Sequence, residues 1–308
     1  MKVSFIVCYS STKAMTLFDK TSWPIQDTNH DEAILLITKR LLEQISSIPI
    51  EKEILLMDNT GDFPTDWKVP DLKVIPSHGS WDREEMIKNS HIFENVKEDS
   101  IYYPDGHYGP YPLELKWSNQ AETTAMAYNH GLSLATGDYI ILQHNDTYYL
   151  SNGELIKDVI DLLESEGYEY ITVDKKPFKH KDTEKYEYFA DCYWFLCRGD
   201  FYSKHNIWVD WKRGDNNHLA TIVCYDKGLK YLHLPGYYEN KEHFTFEYNR
   251  SIYDKHFPGN TNLLKNGTLF NLHTINENPF LVHIKGGTGL RKSEIIKKSL
   301  ELIDEENL

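Results

Sequence analysis

Ala135-Thr136-Gly137-Asp138-Tyr139-Ile140-Ile141-Leu142-Gln143-His144-Asn145-Asp146-Thr147 is the stretch whose reading decides the fold. Ala121 to Ala135 reads as a helix, with Gly137 as its C-terminal stop. Asp138 to Gln143 reads as a short buried strand, and His144 to Thr147 as a polar loop at that strand's carboxyl end. Helices alternating with buried strands of this kind build an α/β sheet.

The same alternation extends in both directions. Lys2 to Tyr9 is a β-branched and aromatic run that stops at Ser10-Ser11-Thr12, the pattern of a buried strand feeding a loop. From Asp31 to Ile48, the residues Ile34, Ile37, Leu41 and Ile45 recur at helical spacing with charges between them. Glu53 to Met57 forms a second strand, ending at Asp58-Asn59-Thr60-Gly61-Asp62. Strand, helix, strand implies a parallel βαβ unit. Leu72 to Ile75 is a third strand, followed by an irregular insertion at 77–118 rich in Tyr, Gly and Pro. Within it, Tyr102 to Tyr111 reads equally as a lid or as an ordered surface insertion.

Downstream, Gly153 to Glu166 is a helix, and Tyr170 to Asp174 and Tyr193 to Cys197 are strands separated by a polar stretch from Lys175 to Lys185. A helix covers His218 to Lys227. After Pro258 the chain shows few regular signals until Arg291 to Glu306, where Ile295, Ile296, Leu300 and Ile303 mark a closing helix. The fold class is therefore α/β: a mostly parallel mixed sheet flanked by helices, with a less regular C-terminal extension.

Composition limits the partners. Among 308 residues, 33 Lys and Arg stand against 47 Asp and Glu, a formal charge of −14 that argues against nucleic acid, whose binding draws on clustered positive charge. No apolar stretch approaches the roughly 20 residues of a transmembrane helix, and the N-terminal apolar run is too brief for a secretory signal, so a cytoplasmic address is expected. Cys8, Cys192, Cys197 and Cys224 contain no CxxC pair and read as reduced, buried thiols.

Ligands in open α/β sheets lie beyond the carboxyl ends of the strands, so the loops after the first, second and fourth strands should converge on one crevice. Tyr9-Ser10-Ser11, Asp58 to Asp62, and His144 to Asp146 would bring hydroxyls, carboxylates and amides there, suited to a nucleoside and its phosphates. Turn chemistry is the competing reading of any one cluster, since Asn, Asp and Ser hydrogen-bond their own backbone.

The order of these segments resembles the family 2 glycosyltransferases of the GT-A fold. Val3-Ser4-Phe5-Ile6-Val7-Cys8-Tyr9-Ser10 is similar to the family's first strand, and Glu53-Ile54-Leu55-Leu56-Met57-Asp58-Asn59 to its second strand with the base-binding Asp. Ala127-Tyr128-Asn129-His130-Gly131 and Ala135-Thr136-Gly137-Asp138-Tyr139-Ile140 resemble the helix and strand before the D-x-D motif, whose place is taken by His144-Asn145-Asp146-Thr147. The resemblance implies a GT-A core over 1–235, with a nucleotide-binding half at 1–150 and an acceptor half at 151–235. An extension at 236–308 would complete the site. It also implies transfer of a sugar, with inversion, from a nucleoside diphosphate sugar donor to a glycan or other hydroxyl acceptor, in glycan biosynthesis.

On this resemblance Tyr9, Ser10, Asp58, Asn59 and Asn145 contact the nucleotide sugar. Asp146 and His144 hold a divalent cation, Mn2+ or Mg2+, and His283 takes the role of the family's late metal-binding His. His144 stands where the family has a carboxylate, and imidazole favours transition metals such as manganese over magnesium. In His283-Ile284-Lys285-Gly286-Gly287-Thr288-Gly289-Leu290-Arg291, Lys285 and Arg291 supply countercharge to phosphate. Asp215, in Arg213-Gly214-Asp215-Asn216-Asn217-His218, is the candidate catalytic base, with Asp210 and Asp191 as alternatives and a helix N-cap as its non-catalytic reading. Trp194, Trp208 and Trp211 flank this region, as sugar-stacking or as core residues. Two other readings stand beside this one. A nucleotidyltransferase of related fold would need glycine in Ser10-Ser11-Thr12-Lys13, and a catalytically degenerate binding protein is sustained by His144, Asn216 and Tyr128.

Overall fold

Val3, Phe5, Val7 and Tyr9 bury themselves in one hydrophobic core while Ile6 and Cys8 enter another, so a single strand of alternating side chains separates two apolar layers. The computed structural model describes residues 1–11, 30–77, 118–150, 153–179, 186–209, 217–234, 236–237, 270–276, 278–284, 296–297 and 300–301. In chain order these form β1 (Lys2–Tyr9), α1 (His30–Ser47), β2 (Glu51–Asp58), β3 (Leu72–Pro76), α2 (Ser118–Leu134), β4 (Tyr139–His144) and β5 (Thr147–Tyr149). They continue with α3 (Leu155–Glu166), β6 (Tyr170–Lys179), β7 (Tyr186–Arg198), α4 (Phe201–His205), α5 (His218–Asp226), β8 (Leu232–Leu234), β9 (Gly236–Tyr237), β10 (Phe270–Ile275) and β11 (Asn278–Ile284).

The large sheet has the order β3-β2-β1-β4-β7-β6-β8. Its pairs are parallel except β4–β7 and β7–β6, giving the expected mostly parallel mixed sheet. One face carries α1 and α3. Ile34, Ile37, Leu41, Leu42 and Ile45 of α1 and Ile156, Val159, Ile160 and Leu163 of α3 are buried there against β1, β2 and β4. Each such aliphatic side chain contributes about 1.5–3 kcal/mol by leaving water. The other face carries Ala125, Ala127, Tyr128 and Leu132 of α2 with Phe201 and Tyr202 of α4 and Ala220, Val223 and Cys224 of α5. The thiols of Cys8, Cys197 and Cys224 are unpaired and buried; burial pushes Cys224 up to about 12. No helix among the described residues is long and apolar enough to cross a membrane.

Three readings of the sequence are revised. The polar stretch Lys175 to Lys185 does not separate two short strands: β6 and β7 pair antiparallel out to Lys179↔Tyr186, because backbone pairing in an antiparallel hairpin does not require apolar side chains at every position. Gly137 is not the helix stop, since α2 ends at Leu134. A Cβ there would lie 2.6 Å from the Ser4 backbone nitrogen and 2.7 Å from Ser4 Oγ, so glycine permits close approach of the connection to β1. The region after Pro258 contains two strands, β10 and β11. With β5 and β9 they form a second sheet in the order β5-β11-β10-β9.

This small sheet joins the α1 and α3 core through Tyr148, Tyr149, Ile275, Phe280, Leu281, Val282 and Ile284. Gln44 of α1 caps its edge. The side-chain amide donates 2.5 Å to the Tyr149 carbonyl and accepts 2.8 Å from the Tyr149 N–H, standing in for a missing strand. Ile296 and Leu300, buried in the same core, are helical, as are Lys297 and Glu301; the rest of the expected closing helix lies outside the described residues, as do residues 78–117 of the insertion expected at 77–118.

Candidate metal centre

Register places the site. Tyr9 pairs with Asp58 and Cys8 with His144, so the carboxyl ends of β1, β2 and β4 finish side by side and their loops start on one rim. From β4 the turn Asn145-Asp146 carries the chain out of the large sheet and into β5 of the small one. There Thr147 pairs with His283 of β11, and the Ile284 N–H donates 2.8 Å to the Asp146 carbonyl. His144 and Asp146 from one sheet and His283 from the other thereby meet.

Asp146 is 1% exposed. Its Oδ1 lies 3.3 Å from His283 Nε2 and 4.0 Å from His144 Nδ1, and the three donor atoms lie within 4.8 Å of one another. His283 approaches at ion-pair distance, and Oδ1 is a buried acceptor without a well-aligned hydrogen bond among the described residues. Donors bound to one cation at about 2.1 Å sit roughly 3–4 Å apart. Two imidazole nitrogens and an orphaned carboxylate oxygen thus fit a divalent cation after small side-chain adjustments. Burial pushes the Asp146 carboxyl up, but the nearby imidazoles of His283 and then His144 outweigh it and hold it below its ordinary value.

Tyrosines bracket the imidazoles. Tyr128, fully buried on α2, lies parallel to His144 with ring centroids 6.4 Å apart, and Tyr193 of β7 stacks on His283 at 4.4 Å. Tyr193 follows directly from strand register, one residue beyond the last β4–β7 pair, Gln143↔Trp194. Sequence reading noted it only as the first residue of a strand, and His273, to which it hydrogen-bonds, lies in the region where no strand was read. No local signal pointed to Tyr193, because only the antiparallel register of β4 and β7 brings it beside His144.

The nucleotide-side residues divide. Ser10 is half-buried at the rim, and its Oγ accepts 3.2 Å from Asn59 Nδ2. Asn59 is 2% exposed, and its Oδ1 is a buried acceptor with no hydrogen-bond partner among the described residues. Asp58 organises its own loop: Oδ1 accepts from the N–H groups of Thr60 (3.1 Å) and Gly61 (2.8 Å), and Oδ2 from Phe63 (3.0 Å). This is the turn chemistry expected of Asp at such a position. Tyr9 is buried edge-on against Phe63, and burial, then Asp62, Asp58 and Asp31, push its phenol up. Asn145 turns into the core and donates 2.8 Å to Thr38 Oγ1 of α1, which fixes the backbone from which Asp146 projects.

Trp194 and Trp208 are core residues, 0% and 1% exposed, with Trp194 Nε1 donating 3.0 Å to the Tyr149 hydroxyl. The N-cap position of α5 belongs to Asn217, not Asp215. Asp215, Asp210, Trp211, Lys285, Arg291 and Tyr102 to Tyr111 lie outside the described residues; Asp191 falls within β7.

No protein-family model and no curated protein matches this sequence. Among solved structures, it aligns with S. aureus TarS 1–349 in complex with UDP-GlcNAc at 14% identity and a TM-score of 0.37, covering 73% of this chain and 53% of that one. The chain thus spans about half the length of that TarS chain. It aligns with apo mouse xyloside xylosyltransferase 1 at 9% identity and a TM-score of 0.40, covering 76% and 85%. For 4-diphosphocytidyl-2C-methyl-D-erythritol synthase from Anaerococcus prevotii the values are 10% identity and 0.37, covering 81% and 92%.

Proposed function

We propose that this chain is a glycosyltransferase that uses a nucleoside diphosphate sugar as donor and a glycan or other hydroxyl compound as acceptor, with inversion at the transferred carbon. The observation that carries the reading is the meeting of His144, Asp146 and His283 at the rim where β1, β2 and β4 end. A leaving diphosphate gathers negative charge as the sugar bond breaks, and a divalent cation held there supplies the countercharge. The donor set, two nitrogens and one oxygen, suits Mn2+ better than Mg2+.

In this reading Ser10 and Asn59 receive the nucleoside. The Asn59 carboxamide offers an acceptor to the base, while Asp58 and Asn145 hold the two loops in shape. Lys285 and Arg291, beyond the end of β11, supply further positive charge to the diphosphate. Asp215 takes the proton from the acceptor hydroxyl, so that the oxygen attacks as the sugar departs.

Calorimetry with UDP and GDP, each with and without Mn2+, followed by a donor-hydrolysis assay, tests the proposal. Cation-dependent binding of one nucleotide together with turnover of its sugar derivative is expected. Binding without any turnover across a panel of nucleotide sugars would make the chain a degenerate binding protein, and no nucleotide binding would refute the reading.

A further inference from the structure

Tyr193 is the residue through which both sheets grip the metal centre. Its ring lies over the His283 imidazole with the planes only 12° from parallel, and it also meets His144, at 6.4 Å and a tilt of 57°. The Tyr193 hydroxyl shares a 3.0 Å hydrogen bond with Nε2 of His273, a fully buried residue of β10. One side chain from the large sheet is therefore stacked on a metal-centre imidazole and bonded to a second histidine of the small sheet.

Backbone pairing with Thr147 sets where His283 starts but does not by itself fix the rotation of its ring about the last side-chain bond, and a quarter turn would take Nε2 away from Asp146. A flat partner stacked at 4.4 Å removes that freedom. Phenylalanine would fill the same volume. A buried hydroxyl is unfavourable unless bonded, and here the bond anchors the tyrosine ring against the sheet that carries His283. We propose that Tyr193, anchored by His273, is a positioning residue that holds the His283 imidazole in the orientation that ligates the cation. The inference rests on the reading of His144, Asp146 and His283 as a cation site.

The test is Mn2+ binding to the full chain by electron paramagnetic resonance, with pulsed detection of imidazole nitrogen coupled to the ion, alongside thermal melting. Wild type is expected to show coupling from both His144 and His283, and Asp146→Ala to lose the ion. Tyr193→Leu should bind about 10–100-fold more weakly, the usual cost of losing a ligand's supporting contact, and show coupling from His144 alone. Tyr193→Phe, which keeps the stack and loses the anchor, should retain both couplings with a smaller loss of affinity; His273→Asn should behave like it. Wild-type affinity and both couplings in Tyr193→Leu, whatever its melting temperature, would reduce Tyr193 to core packing and overturn the inference. If that variant fails to fold, unchanged affinity in both Tyr193→Phe and His273→Asn overturns it instead. Absence of Mn2+ binding in wild type would refute the cation site itself and the positioning role with it, a result distinct from the others.

Discussion

Nε2 of His283 stands 3.3 Å from Oδ1 of Asp146, although the first belongs to the small sheet and the second to the turn that leaves the large one. The three donor groups therefore come together only when the two sheets are docked, and the docking is held by the core that β5, β10 and β11 share with α1 and α3.

Asp146→Ala is expected to weaken Mn2+ by at least about 100-fold, because it removes the only carboxylate among the three donors. The melting temperature should fall as well, since the change takes away a carboxylate whose attraction to the two imidazoles outweighs its burial. Calorimetry and thermal melting measure the two effects separately.

Metal choice follows from the donors. At equal concentration Mn2+ or Co2+ should support nucleotide binding about tenfold better than Mg2+, because imidazole nitrogen discriminates for transition metals. Removal of metal with a chelator should abolish that binding and Mn2+ should restore it, as read by titration calorimetry. Equal performance of Mg2+ would show that the imidazoles are not ligands.

Glu53 makes acid stability measurable. It accepts from Ser4 Oγ (2.7 Å), the Thr136 N–H (2.7 Å) and Thr136 Oγ1 (2.9 Å), with Lys73 at 3.2 Å. Burial opposes the charge, but these donors prevail and bring the carboxyl down to about 2. A carboxylate lowered on folding adds stability that is full above its unfolded value, near 4.5, and is lost as pH falls toward 2. The contribution is about 3 kcal/mol. Glu53→Gln should lower stability by that amount at pH 7 and flatten the acid limb of a denaturation series between pH 5 and pH 2, both about 3 kcal/mol in extent.

Gly137→Ala should destabilise by about 1–3 kcal/mol, through overpacking rather than lost helix structure. The added Cβ meets backbone atoms, Ser4 nitrogen at 2.6 Å and the Tyr139 carbonyl at 2.7 Å, which cannot swing aside. The denaturant midpoint should fall with an unchanged slope.

The elements legible in the sequence are those whose signal is local. β1, α1, β2 and β4 announce themselves by unbroken apolar runs or a 3.6-residue stripe, and each lies within a few residues of its expected bounds. β5 has only three residues and carries no strand signal of its own; β11 holds the apolar run Phe280-Leu281-Val282, but the Asn278-Pro279 before it reads as a turn, and β5 and β11 pair across a long separation in the chain. Asp58 shows the same limit at the level of function. A conspicuous carboxylate at a strand's end was equally a ligand contact and a turn-former, and only its three backbone N–H donors display the second role.

Residue order alone therefore determined the α/β class, the rim on which a site would form, and the presence there of His144 and Asp146, because propensity and apolar period depend on neighbours in the chain. Tertiary structure decided that His283, until then suggested by resemblance alone, stands beside Asp146, that Asn145 faces inward, and that Tyr193 packs against the imidazoles with its hydroxyl bonded to His273. Those facts depend on the register Thr147↔His283 and the docking of two sheets, which long-range packing sets and no contiguous stretch of residues encodes.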